Sequence, residues 1–139
     1  MFNPQPKPIK KVKPKTSINR ISKKQRGIKN KLMETYAIID AKRHSRSCDA
    51  YPTKEWVDHD HTIAQQRCKH LNKTELIWDP QNIEFSSRQA HTEWENKSHA
   101  CEDHKNFIKR MLFVKLHDPE MFEKRYQRLS NYEVMKALK

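Results

Sequence analysis

The sequence predicts an α+β protein in three parts: a basic arm and helix, a strand–loop–strand–helix module, and a C-terminal helical segment. Three observations lead there. Cationic charge is gathered at one end, two short central segments alternate like strands, and apolar residues beyond residue 98 recur at helical spacing. With 139 residues, 35% hydrophobic and 33% charged, the chain accommodates one domain plus tails and not two ordinary domains.

Residues 1–16 form the arm, where Pro4, Pro6, Pro8 and Pro14 favour an extended, solvated backbone. Over residues 17–43 the pattern turns helical. Ile28, Leu32, Tyr36 and Ile39 make one apolar stripe on a basic helix, placed to pack against the body. Residues 44–55 read as a loop. Trp56-Val57 opens a strand that runs into Asp58-His59-Asp60-His61, and residues 64–74 are a polar loop with at most one helical turn. Asp79-Pro80 turns the chain, Asn82 to Ser86 alternates as a second strand, and Ser87 is placed to cap a helix through about Lys97. These pieces make up a module over residues 44–97. In the segment 98–139, Phe107, Met111 and Val114, then Met121, Tyr126 and Leu129, predict helices broken at Asp118-Pro119, with Ser130 capping a last short one.

The net charge is +12, and residues 1–31 hold 11 Lys and Arg with no Asp or Glu, which leaves only +1 for the rest. Such an arm binds phosphate backbones by counterion release, strongly and without reading sequence. Lys10, Lys11, Lys13, Lys15, Lys23, Lys24 and Arg26 are the expected contacts. A solubilising or anionic-membrane tail is the alternative, but the arm carries no Trp and no apolar face, which favours nucleic acid. The longest apolar run, Met111 to Val114, excludes a transmembrane helix, so no membrane partner is expected. The N-terminus does not read as a secretory signal. Three cysteines form no even framework and lead us to expect reduced thiols in a cytoplasm.

Chemistry concentrates in one ordered set. Asp60-His61 stands at the end of the first strand, Asn82 follows 21 residues later, and His91 comes nine after that. Strand, loop, strand and helix carrying these residues resemble the HNH endonuclease family and its ββα-metal (His-Me finger) fold. The family's first motif reads Asp-His-x-apolar-Pro, and Asp60-His61-Thr62-Ile63-Ala64 departs from it only at Ala64. Its second half, Asn to a helical His nine positions on, matches Asn82 to His91. The resemblance covers residues 56–97, under a third of the chain.

Many members of that family also carry two Cys-x-x-Cys pairs around a structural zinc. Here those positions are Cys48, Tyr51, Ser87 and Ala90, so no four-cysteine zinc site can form. Packing is expected to replace it, with Trp56, Trp78, Phe85 and Trp94 as available bulk and Cys48 as an inert thiol.

Phosphodiester hydrolysis needs a water deprotonated near neutral pH, which suits the imidazole of His61 as general base. Charge then builds on the phosphate and the leaving oxygen, where one divalent ion (Mg2+, Mn2+ or Zn2+) is the usual remedy. Asp60 and His91 are sensible ligands, and Glu95, four residues beyond His91 on the same helical face, is a candidate third. The resemblance implies that Asn82 orients the base. Arg67, Arg88 and Lys97 flank the site as phosphate contacts. Two Asp-His pairs stand in one strand, so alternation puts Asp58 and Asp60 on one face and His59 and His61 on the other. The residue two beyond the base should anchor the strand end. Ile63 does that for His61, so Asp60 and His61 are the expected pair, His59 a helper near the phosphate, and Asp58 of little consequence.

Four other histidines, His44, His99, His104 and His117, read as surface residues, as do Glu75 and Glu93. The function expected is metal-dependent DNA cleavage, on branched or single-stranded DNA among the candidate substrates. By analogy it would suit a phage or mobile-element protein in a host cytoplasm. The alternative is a non-catalytic nucleic-acid-binding protein that uses the module as a scaffold.

Overall fold

A computed structural model describes residues 4–5 and 22–139 of the chain. The arm contacts expected at Lys10, Lys11, Lys13 and Lys15 lie outside the described residues. Helix α1, Lys23–Lys42, starts at Ser22, whose hydroxyl accepts from the Gln25 amide. Its stripe does what its spacing predicts: Ile28 and Leu32 are buried, Tyr36 and Ile39 pack beside them, and the Thr35 hydroxyl donates to the Trp78 carbonyl.

Strand β1, Asp58–His61, pairs antiparallel with β2, Ile83–Ser86, placing Asp60 opposite Glu84 and His61 opposite Ile83. Trp56 and Val57 precede the strand rather than open it. Between the strands the polar loop is more ordered than its composition suggests. It holds helix α2, Gln65–His70, and a 3-10 turn over Thr74–Trp78 that buries Leu76 and Ile77. Helix α3, Arg88–Glu95, follows β2 directly, with Ser87 as N-cap accepting from the Ala90 amide.

Helices α4, Phe107–His117, and α5, Pro119–Tyr126, break where Asp118-Pro119 predicts. The last helix, α6, Tyr132–Ala137, is capped by Asn131 and not by Ser130. Ser130 is taken by Glu102, whose carboxylate accepts from the Ser130 hydroxyl and from the Ser130 and Asn131 amides. One core runs through all of this, from Ile28 and Leu32 through Ile63, Ile77 and Trp94 to Met111, Val114, Phe122 and Leu138. None of the described helices is long and apolar enough to cross a membrane.

A second, smaller cluster joins Cys48, Ala50 and Ala90, with Tyr51 and Trp56 packed on it. The positions that carry zinc thiolates in the resembled family, Cys48, Tyr51, Ser87 and Ala90, therefore meet in space. The Cys48 sulfur accepts from the Tyr51 and Ser87 amides. Of the aromatics expected to fill this region, Trp56 does so, with Phe85 edge-on to it at 4.7 Å, whereas Trp78 and Trp94 belong to the main core. His104 and Glu93 also differ from expectation. The His104 side chain is buried with Nε2 3.0 Å from Glu93 Oε1, and Tyr51 donates to the same carboxylate. The Glu93 carboxylate thus has two partners and His104 Nε2 has one, which is what draws both residues in from the surface.

Asp118 ties α2 to the junction of α4 and α5. It accepts two bonds from Arg67, at 2.8 and 2.9 Å, and one from the Met121 amide. Burial alone would raise its pKa, but the Arg67 and Met121 bonds outweigh burial and hold the carboxyl below its ordinary 3.8. Its folded-state pKa is depressed, so its contribution is complete above 3.8 and is lost as pH falls through the folded value. Asp118→Asn should therefore lower stability at neutral pH by about 2 kcal/mol, less than a fully buried pair because Arg67 is partly exposed. Urea melts should show that deficit at pH 7 and its disappearance in acid, whereas identical curves at pH 7 would contradict it.

Candidate active site

The strand end, the loop and helix α3 surround a cavity of about 440 Å³ lined by Asp60, His61, His91, Glu95, Lys97 and Arg125, with His59 and Tyr36 at its α1 side. Alternation along β1 divides its four residues as its period requires. Asp58 and Asp60 both reach His91 on α3, and His59 and His61 both reach Tyr36 on α1.

Asp60 is 1% exposed. Its Oδ2 accepts from Arg110 Nη1 at 2.9 Å and from the Ser86 hydroxyl at 3.1 Å. Oδ1 has no such tie among the described residues and stands 3.5 Å from His91 Nε2. On the other side of the His91 ring, Nδ1 is 3.3 Å from Asp58 Oδ2. A carboxylate only accepts, so Asp58 is placed to accept from a protonated Nδ1, the tautomer in which Nε2 has its lone pair free for a cation. Asp58, expected to matter little, is thus the group that orients His91. Glu95 Oε1 lies 3.6 Å from the same Nε2 and is largely exposed.

His61 donates from Nε2 to the Ile77 carbonyl at 2.8 Å. A carbonyl cannot donate, so this bond sets the tautomer with its proton on Nε2 and its lone pair on Nδ1. Burial is the largest influence on the ring and lowers its pKa below 6.5, against the raising effects of the Ile77 carbonyl and Asp60. At neutral pH His61 is an uncharged base.

Asn82 is fully buried and, among the described residues, makes no hydrogen bond to His61. Its Oδ1 accepts from the Ile63 amide at 2.7 Å, and its Nδ2 donates to the Ile63 and Leu76 carbonyls at 3.0 Å. Those backbone groups lie two residues after His61 and one before Ile77. Asn82 therefore fixes both ends of the His61 hydrogen bond through the backbone. His59 stacks on Tyr36 with centroids 4.0 Å apart, and its Nε2 is 2.7 Å from Asp40 Oδ1, so α1 holds it at the cavity wall.

The expected phosphate contacts fare differently. Arg67 lines the cavity but its guanidinium is committed to Asp118. Arg88 is exposed and 3.1 Å from Asp58. Lys97 lines the cavity with no carboxylate partner among the described residues, and Lys23, Lys24 and Arg26 lie on the first turn of α1. Sequence reasoning did not find Arg110 and Arg125, which reach the site from α4 and α5. A signal existed for the first. Arg110 interrupts the buried stripe Phe107, Met111 and Val114, and an Arg on an apolar face needs a buried partner.

The donor set suits a divalent cation. Two ligands about 2.1 Å from one ion stand roughly 3.0–3.5 Å apart, close to the spacing of His91 Nε2 from Asp60 Oδ1 and from Glu95 Oε1. No group of three such side chains is already drawn around a common point among the described residues. Asp60 and His91 are held, whereas Glu95 has no other bond in that part of the chain. Comparison of the chain with protein-family models, curated proteins and solved structures finds no match.

Nitrogen NMR of the His61 ring should show the Nε2-H tautomer at neutral pH and protonation only below 6.5. A midpoint at or above 6.5, or a proton on Nδ1, would contradict this geometry.

Proposed function

We propose that the protein is a metal-dependent endonuclease of the ββα-metal type that hydrolyses phosphodiester bonds in DNA, with water as nucleophile. The observation that carries this reading is His61, a neutral imidazole with its tautomer set by the Ile77 carbonyl, in one cavity with Asp60, His91 and Glu95. His61 Nδ1 takes the proton from the attacking water as its oxygen bonds to phosphorus, the P–O bond to the 3′ or 5′ oxygen breaks, and that oxygen takes up a proton from solvent. Asp60 Oδ1 and His91 Nε2 would hold the cation, with Glu95 as third donor. Once bound, a divalent ion stabilises charge on the phosphate and the leaving oxygen. Asn82 acts as a positioning residue, and the helix α3 face would lie along the nucleic acid.

Plasmid cleavage with and without divalent metal tests the reading. His61→Ala should abolish metal-dependent cleavage and leave DNA affinity within a few-fold, since it removes proton transfer and not phosphate contacts. Asn82→Ala should slow cleavage less. Binding without cleavage by the wild-type chain under every divalent metal would favour a non-catalytic binding protein.

The arm supplies affinity in this reading. Because Ile28 and Leu32 are core residues, the deletion that tests this is confined to residues 1–21, which carry six cations and no anion. Their deletion should weaken binding to long DNA and flatten the slope of log K against log salt by about 0.9 for each phosphate the arm neutralises. Cleavage at saturating DNA should persist. An unchanged slope would assign the arm to another partner.

A further inference from the structure

Two arginines lie against the indole of Trp94, and their circumstances differ. Arg110 has its guanidinium carbon 4.1 Å from the ring centroid and is neutralised by Asp60. Arg125 approaches to 3.8 Å and is 9% exposed, yet among the described residues it has no carboxylate within 4 Å. Residues 1–31 contain no Asp or Glu, so the undescribed arm cannot provide one. Nη1 donates to the Trp94 carbonyl at 3.2 Å, and Nε has no partner among the described residues. A buried guanidinium left this way is costly unless an anion completes it.

The surroundings say where that anion comes from. Arg125 lines the same cavity as His61, Asp60 and His91, and so does Lys97. Lys97 follows α3 in the left-handed region, φ 52°, with its amide donating to the Trp94 carbonyl that Arg125 also uses. Burial lowers the Lys97 pKa, and Arg125, Arg128 and Lys124 lower it further. Burial, followed by the nearby Arg110, pulls Arg125 down to about 10, which still leaves it charged at neutral pH. The cavity therefore gathers carboxylates and imidazoles together with two cations, Lys97 and Arg125, that repel each other.

We propose that Arg125 and Lys97 form an anion subsite that takes one phosphate of a bound nucleic-acid strand, Arg125 offering the N–H donors of its guanidinium and Lys97 a point charge. Planar guanidinium donors match phosphate oxygens in a way that a lysine cannot reproduce. The strand as the source of the phosphate rests on the nuclease reading, and the subsite itself rests on Arg125.

The test uses the full chain in metal-free buffer, so that no cleavage is needed for a result. Inorganic phosphate and the dinucleotide d(TpT) are titrated separately while the Arg125 Nε–H resonance is followed by NMR and affinity by calorimetry. Both ligands should move that resonance and compete with each other. Arg125→Gln should weaken both by at least ten-fold, and Lys97→Ala by at least three-fold. Should Arg125→Gln fail to fold, the wild-type resonance and the Lys97→Ala variant decide the matter. An unmoved Nε–H with affinity unchanged in Lys97→Ala overturns the subsite. Phosphate binding without d(TpT) binding overturns its assignment to a strand. If the wild-type chain cleaves no DNA while both ligands still engage Arg125, the nuclease reading falls and the subsite stands; normal cleavage without Arg125-dependent binding gives the reverse.

Discussion

The buried pair between Asp60 and Arg110 is the constraint on which the candidate site depends. Both side chains are almost wholly removed from water, and loss of either partner would leave a charge stranded in the core, at a cost of about 3–5 kcal/mol. The pair joins β1 to α4 across 50 residues of sequence. It also decides which carboxylate oxygen is spent on structure. Oδ2 is held by Arg110 and Ser86, so Oδ1 is the one left for the cavity. The Arg110 Nε donates to the Thr62 hydroxyl, which extends the same restraint to the residue after His61.

Around that pair the site is built by fixing backbone and tautomers before any ligand is present. Asn82 ties the end of β1 to the turn that carries Ile77, and Ile77 in turn sets the proton on His61. Asp58 orients the His91 ring from the other side of the strand. Side chains placed in this way lose little freedom when a substrate binds. The satellite cluster of Cys48, Ala50 and Ala90 supports the start of α3 from behind, with the Cys48 sulfur accepting the Ser87 amide at the helix cap. A few small side chains and two amide–sulfur bonds thus hold the chain at this point.

The parts legible in the sequence are those set by local period or by a cap. The two strands, the Ser87 cap, the break at Asp118-Pro119 and the meeting of Asp60 with His91 all follow from alternation and spacing. What was not legible lies in pairings between distant residues. Asp58 read as idle because its partner is 33 residues away. His104 and Glu93 read as surface groups because polarity alone does not show that two polar side chains bury each other. Ser130 and Asn131 are equally good caps by composition, and it is Glu102, captured from another segment, that chooses between them. Arg125 gave no local signal, since its partner is an aromatic ring on α3.

The central claim is that Asp60 Oδ1 and His91 Nε2 together hold a divalent cation beside His61. The most direct measurement is anomalous diffraction from crystals of the full chain soaked in Mn2+. The account predicts one strong peak within about 2.3 Å of both atoms, with Glu95 turned towards it. A peak elsewhere on the protein, or none at this position while Mn2+ binds in solution, would contradict it.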